Sequence, residues 1–111
     1  MIVKNIKDAL QGKAPLGAKR SSKWPAVRKN HLKLNPICAV CGDTNKLEVH
    51  HIKPFHLHPE LELEPTNLIT MCESKSYGII CHLLIGHNGS YQKINPNVID
   101  DAKAWHKKLH G

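Results

Sequence analysis

Cys38-Ala39-Val40-Cys41-Gly42-Asp43, then Leu47-Glu48-Val49-His50-His51-Ile52, then Asn67-Leu68-Ile69-Thr70-Met71-Cys72 and finally Cys81-His82 make up the stretch on which the fold is read. The first piece is a turn-rich knuckle: two cysteines two residues apart, followed by a glycine, can turn both thiolates onto one metal ion. Leu47–Ile52 alternates well enough for a strand, and Asn67–Cys72 reads as a second. Pro54 to Pro65 bounds a loop between them. A short helix is expected to begin near Cys81-His82 and to stop by Gly86. Two short strands followed by a helix place the chain in the α+β class.

Longer helices flank this centre. Ser21-Ser22-Lys23-Trp24-Pro25 has a serine near the cap and a proline in the first turn, which starts a helix. Trp24, Val27, His31 and Leu34 form its apolar stripe, and Asn35-Pro36 ends it. At the other end, Asn97 opens a helix that runs to His110, with Asp100 and Asp101 in its positive first turn and Lys107 and Lys108 in its last. Val98, Ala102, Trp105 and Leu109 are its buried stripe, while His106 and His110 read as surface residues. Ile2, Val3, Ile6 and Leu10 suggest a further short amphipathic helix, joined by a Gly- and Pro-containing link from Gln11 to Ala18.

At 111 residues the chain allows one domain with a thin core, and aromatics are only 5% of it, so a staple is expected. Four cysteines provide one. No run approaches the ~18 apolar residues of a membrane span, and MIVKNIKDAL is interrupted by charge before a signal core could form. A cytoplasmic setting is expected, where cysteine clusters hold metal more often than they form disulfides. The net charge of +7 is unevenly spread. Residues 1–35 carry nine bases against Asp8 alone, whereas residues 36–111 carry seven lysines against eight acids. Such a segregated basic arm is the footprint of a polyanion binder, since each phosphate contact releases counterions. Lys19, Arg20, Lys23, Arg28, Lys29 and Lys33 are the candidate phosphate contacts. The chain divides into a basic arm with a short helix, 1–20, and a single domain, 21–111.

Cys38, Cys41, Cys72 and Cys81 are expected to close a four-thiolate site for structural Zn2+, with residues 73–80 looping out between the last two. With all four committed, no thiol remains as a nucleophile. His50 and His51 are neighbours on a strand and face opposite sides, so one can ligate a metal while the other meets a reacting water. His82 follows the last cysteine, whose metal would fix its backbone. His56 and His58 sit among Glu60, Glu62 and Glu64 and read as a solvated loop; His31 reads as packing. Tyr91 and Lys93 carry a weak signal for contact with a polyanion backbone.

Together these pieces resemble the HNH endonucleases, the ββα-metal or His-Me finger nucleases, over residues 38 to about 90. The resemblance implies a small zinc-stapled ββα-metal finger with flanking helices that cuts double-stranded DNA by water attack. It implies His51 as general base, Asn67 as the asparagine that pins the loop orienting that base, and His50 and His82 as ligands of one divalent ion. His50 stands where the family often has Asp. That makes the site less anionic and better suited to Mn2+, Ni2+, Co2+ or Zn2+ than to Mg2+. His87 is a second-choice ligand, because the wide Cys72–Cys81 spacing leaves the helix register open. Compact members of this family occur in restriction, phage-packaging and mobile-element settings, among which the sequence does not choose; nor does it fix an oligomeric state. Two rivals remain. A non-catalytic zinc-stapled DNA-binding module explains the arm and cysteines but leaves His50, His51, Asn67 and His82 without a role. A CxxC redox or metal sensor lacks the βαβ context that motif needs.

Overall fold

The computed structural model describes residues 20–75 and 77–110, so the expected helix at 2–10, the link after it and Lys19 lie outside the described residues. Its centre is an antiparallel pair of strands, β1 (Leu47–His51) and β2 (Leu68–Cys72), with Leu47 opposite Cys72 and His51 opposite Leu68. All five residues of β2 are buried. An isolated two-stranded ribbon is marginal in water, so its stability must come from what covers it. The cover is α1 (Trp24–Leu34), the helical turn His82–Gly86, the cysteine knuckle and α2 (Val98–His110). Their shared core is Val40, Met71, Ile85, Val98 and Ala102 with the four cysteines. The elements follow the α+β order read from the sequence.

α1 begins at Trp24 with Pro25 in its first turn, as the sequence reading had it, and its N-cap is Lys23, without a side-chain bond. Ser21 acts from two residues earlier: its Oγ accepts the Lys23 N–H at 3.1 Å and its carbonyl the Trp24 N–H at 3.0 Å. The apolar stripe is one residue shorter than expected. Trp24, Val27 and His31 are half-buried, but Leu34 is 69% exposed, since a two-stranded sheet offers too little surface to cover the whole helix. Asn35 leaves the helix, and its carbonyl accepts the buried Thr70 hydroxyl at 2.9 Å.

α2 buries Val98 and Ala102 and packs Trp105 and Leu109 against the core, following the 3.6-residue period. His106 and His110 are not simply surface residues. One turn apart on one face, they turn to the knuckle: the His106 Nδ1–H donates to the Val40 carbonyl at 3.1 Å, and the His110 Nε2–H to the Cys41 carbonyl. A tight metal-binding turn leaves carbonyls without sheet or helix partners, and these imidazoles satisfy two of them. Among the described residues, no helix is long and apolar enough to cross a membrane.

Candidate metal centres and catalytic cleft

The knuckle turns because Gly42 takes a φ of +81°, where a side chain would be strained, and closes with its N–H on the Cys38 carbonyl at 2.9 Å. It is tied to β2 by the Ala39 N–H on the Thr70 carbonyl at 2.9 Å. Cys72 ends β2 and Cys81 opens the helical turn, so the end of the ribbon, the start of that turn and the knuckle converge. All four thiols are free and buried, and their sulfurs lie within 4.8 Å of one another. A tetrahedral ion with sulfurs at ~2.3 Å needs them roughly 3.8 Å apart. The N–H groups of Val40, Cys41 and Cys72 all point at the Cys38 sulfur, at 3.4, 3.5 and 3.4 Å. The Cys81 thiol beside it, with those amides, holds the Cys38 thiol well below its ordinary pKa, whereas burial pushes Cys41 up and the Cys38 neighbour pushes Cys81 up. Four thiolates cannot share this space without a cation, and the arrangement fits a metal ion.

A second cluster lies across β1. The rings of His50, His82 and His87 bring one nitrogen each within 4.8 Å of the others. His82 Nε2 is 3.2 Å from His50 Nδ1 and 3.2 Å from His87 Nε2. The outer nitrogens are occupied: His82 Nδ1–H donates to Glu73 Oε1 at 3.0 Å and His87 Nδ1–H to the Lys93 carbonyl at 3.0 Å. That fixes both tautomers and leaves two lone pairs facing each other, an arrangement that repels unless a cation sits between them. The His50 pKa falls to about 3 through burial first and then its neighbours His82 and His87, and burial lowers that of His87 as well. His50 and His87 are thereby neutral at pH 7, as ligands must be.

His87 joins because the turn His82–Gly86 is of π type. Residues five apart stand about 140° from each other on an α-helix, but i→i+5 bonding brings them back to one face. Gly86 leaves room for this: a Cβ there would lie 3.1 Å from Met71 Sδ, 3.2 Å from the His82 ring and 3.3 Å from that of His50. Glu73 also accepts the Tyr91 hydroxyl at 2.5 Å, and the Tyr91 ring flanks His82 and His87 at 5.6 and 5.2 Å. Those two donors, Tyr91 first, keep the Glu73 carboxyl below its usual range, while Glu73 raises Tyr91 to about 12. Tyr91 therefore serves the histidine cluster; Glu73 was not singled out in the sequence, where its only sign is adjacency to Cys72.

His51 faces the other way. Its Nε2–H donates to the Glu62 carbonyl at 2.8 Å, so Nδ1 carries the lone pair. That nitrogen meets Arg20 Nη1 at 3.5 Å, and Trp24 covers the ring with centroids 4.5 Å apart. Burial lowers the His51 pKa, against the opposing pull of the Glu62 carbonyl. Asn67 lies in the turn Pro65–Asn67 just before β2, with its Oδ1 accepting the Lys53 N–H at 2.8 Å. Its Nδ2 donates to the carbonyls of Lys53 and Leu61 at 3.1 and 3.2 Å. Asn67 thus staples both ends of the loop that carries Glu62, and touches no open face of the cleft.

Both histidine sets open onto a cleft of about 380 Å³ whose other walls include Arg20, Phe55, His56 and Tyr91. Of the basic candidates, Arg20 enters this cleft, its guanidinium 4.5 Å from the Phe55 ring centre. Lys23 at the cap of α1 and Lys29 and Lys33 along it are exposed, while Arg28 pairs with Glu48 of β1 at 2.9 Å. His58 stands 3.7 Å from Glu60 in the loop. Glu62, by contrast, is buried.

No curated protein and no solved structure matches the chain. Residues 38–85, from the first cysteine of the knuckle through the helical turn that presents His82, match the model of the HNH endonuclease family.

Proposed function

We propose that the chain is a metal-dependent endonuclease that hydrolyses DNA phosphodiester bonds, with His51 as general base. The observation that carries this reading is the His51 ring itself, whose Nε2–H is bound to the Glu62 carbonyl while its Nδ1 lone pair faces the cleft shared with the three-histidine cluster. A neutral imidazole in that tautomer can take the proton of an attacking water. Asn67 holds the loop that supplies the Glu62 carbonyl, and so acts as a positioning residue. His50, His82 and His87 form the donor set for the divalent ion, which when bound supplies charge neutralisation at the phosphate and leaving oxygen. An uncharged imidazole triad favours Mn2+, Ni2+, Co2+ or Zn2+ over Mg2+. Zn2+ suits the four-cysteine site. The products would be a 5′-phosphate and a 3′-hydroxyl. Arg20 lies where a phosphate oxygen would meet the base, and exposed Lys23, Lys29 and Lys33 would contact flanking phosphates without reading sequence. The fitting partner is double-stranded DNA and the fitting setting the cytoplasm.

A zinc-stapled binding module without catalysis would need neither a tautomer-locked His51 nor the facing lone pairs of His82 and His87. Plasmid incubated with the protein and Mg2+, Mn2+ or Ni2+, with an EDTA control, separates the readings. Metal-dependent nicking is expected; a mobility shift without nicking would select the module.

The pH profile follows from the buried base. His51 works as its neutral form, and burial disfavours the cation, so activity persists below the ordinary imidazole pKa and is lost only as pH falls through the lowered value. With metal saturating, the acid limb of kcat/KM should have its midpoint below ~6.5. A midpoint above that value would mean that a different group governs the profile.

A further inference from the structure

Among the described residues, Glu62 is the only carboxylate side chain taken out of solvent, at 6% exposure. Both of its oxygens accept the N–H of Ser21, at 3.0 and 3.2 Å, while its carbonyl holds the His51 ring. No lysine or arginine among the described residues lies within ion-pair distance of the carboxylate. Burying a carboxylate without a cation is costly, and an apolar side chain of similar volume would fill the space at less cost. Its presence is explained better by what it places than by what it stabilises.

What it places is the start of α1. That helix has no acid in its own first turn, so Glu62 brings a negative charge to its positive end from across the loop. The residue next to the clamped Ser21 amide is Arg20. Its guanidinium lies 4.5 Å from the Phe55 ring centre and 5.6 Å from that of Trp24, with Nη1 3.5 Å from His51 Nδ1. An arm that only gripped flanking phosphates would need no such anchor.

We propose that Glu62 is a positioning residue whose carboxylate clamps the start of α1 to the loop holding His51, so that Arg20 enters the cleft beside the base and meets the anionic substrate there. This rests on the nuclease reading for the substrate, but the clamp itself does not. The two ends of Glu62 can be separated experimentally. Its carbonyl is backbone and survives substitution, and the loop remains stapled by Asn67 through Leu61 and Lys53. Loss of the carboxylate should release Arg20 and leave the base oriented.

The test compares Glu62→Ala, Glu62→Gln, Arg20→Ala and the Glu62→Ala/Arg20→Ala double variant, all loaded with zinc and Mn2+ and checked for zinc content. Glu62→Ala and Arg20→Ala should each lower kcat/KM for plasmid nicking by roughly tenfold or more, the scale of one hydrogen bond to a charged group. The double variant should be no worse than Arg20→Ala alone, because both remove one interaction. Glu62→Gln keeps an acceptor oxygen for Ser21 and should recover most of the loss. Without reference to activity, the Trp24 indole resonance should move in Glu62→Ala while that of Trp105 stays. Additive losses, or an unmoved Trp24 resonance with zinc retained, would overturn the proposal. Should Glu62→Ala lose zinc, Glu62→Leu, which fills the space without an acceptor oxygen, carries the same comparison. If the wild-type protein nicks no DNA with any metal, the nuclease reading falls by itself and the Trp24 resonance still decides the clamp.

Discussion

His51→Ala is expected to abolish nicking while zinc content and DNA affinity stay close to those of the parent. General bases typically contribute ~10²–10⁴-fold, and the neighbouring His50 does not stand in for His51, because it points to the opposite face of β1 into the metal cluster. The substitution also removes the ring under Trp24 and leaves the Glu62 carbonyl without its donor, costing about 1–3 kcal/mol of stability. The variant should therefore be folded but melt lower. Plasmid nicking at saturating DNA and Mn2+, read beside a thermal melt and metal analysis, makes the comparison. Cleavage at near parental rate would strip His51 of the role of base.

Cys38→Ser should cost the fold itself, and Cys72→Ser the same. Cys38 is fully buried and its sulfur collects three backbone N–H groups, so the knuckle is organised around it. Structural zinc is worth ~10–16 kcal/mol in small finger peptides, comparable to the ~5–15 kcal/mol that holds a whole domain together. Far-UV circular dichroism and bound-metal analysis provide the measurement, with a cooperative melt and stoichiometric zinc expected only for the parent. A folded, active variant with no bound zinc would sink the assignment of the four cysteines to one ion.

The fold was legible where local chemistry dictated it. The CxxCG turn, the strand Leu47–His51 and the stripe of α2 each depend on neighbours in sequence. The pairing of His51 with its loop through Asn67 was readable only by resemblance, since its partners Lys53 and Leu61 are ordinary residues offering backbone groups. Other parts had no local signal. His87 looked out of register because an α-helical period is the default, and nothing in His82–Gly86 announces a π turn except a glycine with no room for a side chain. Glu62 read as one of an acidic, solvated run and Glu73 only as the start of a looped-out segment, until the chain path buried the first at the start of α1 and set the second against His82. The two histidines late in α2 read as solvent-facing for the same reason, since a carbonyl acceptor sixty-odd residues away leaves no trace in the sequence.

Cys72 is followed directly by Glu73, which orients His82, and Cys81 directly by His82 itself. The chain thus crosses from the sulfur centre to the nitrogen centre twice, over a single peptide bond each time. Occupancies of the two centres are then linked equilibria, and the linkage is reciprocal: whatever zinc adds to the affinity of the imidazole site, an ion there adds to the retention of zinc. A chelator that strips both produces an inactive protein without saying which loss mattered. Titrations of the histidine site therefore describe the protein only when the four-cysteine site is loaded first, and order of addition becomes an experimental variable in its own right.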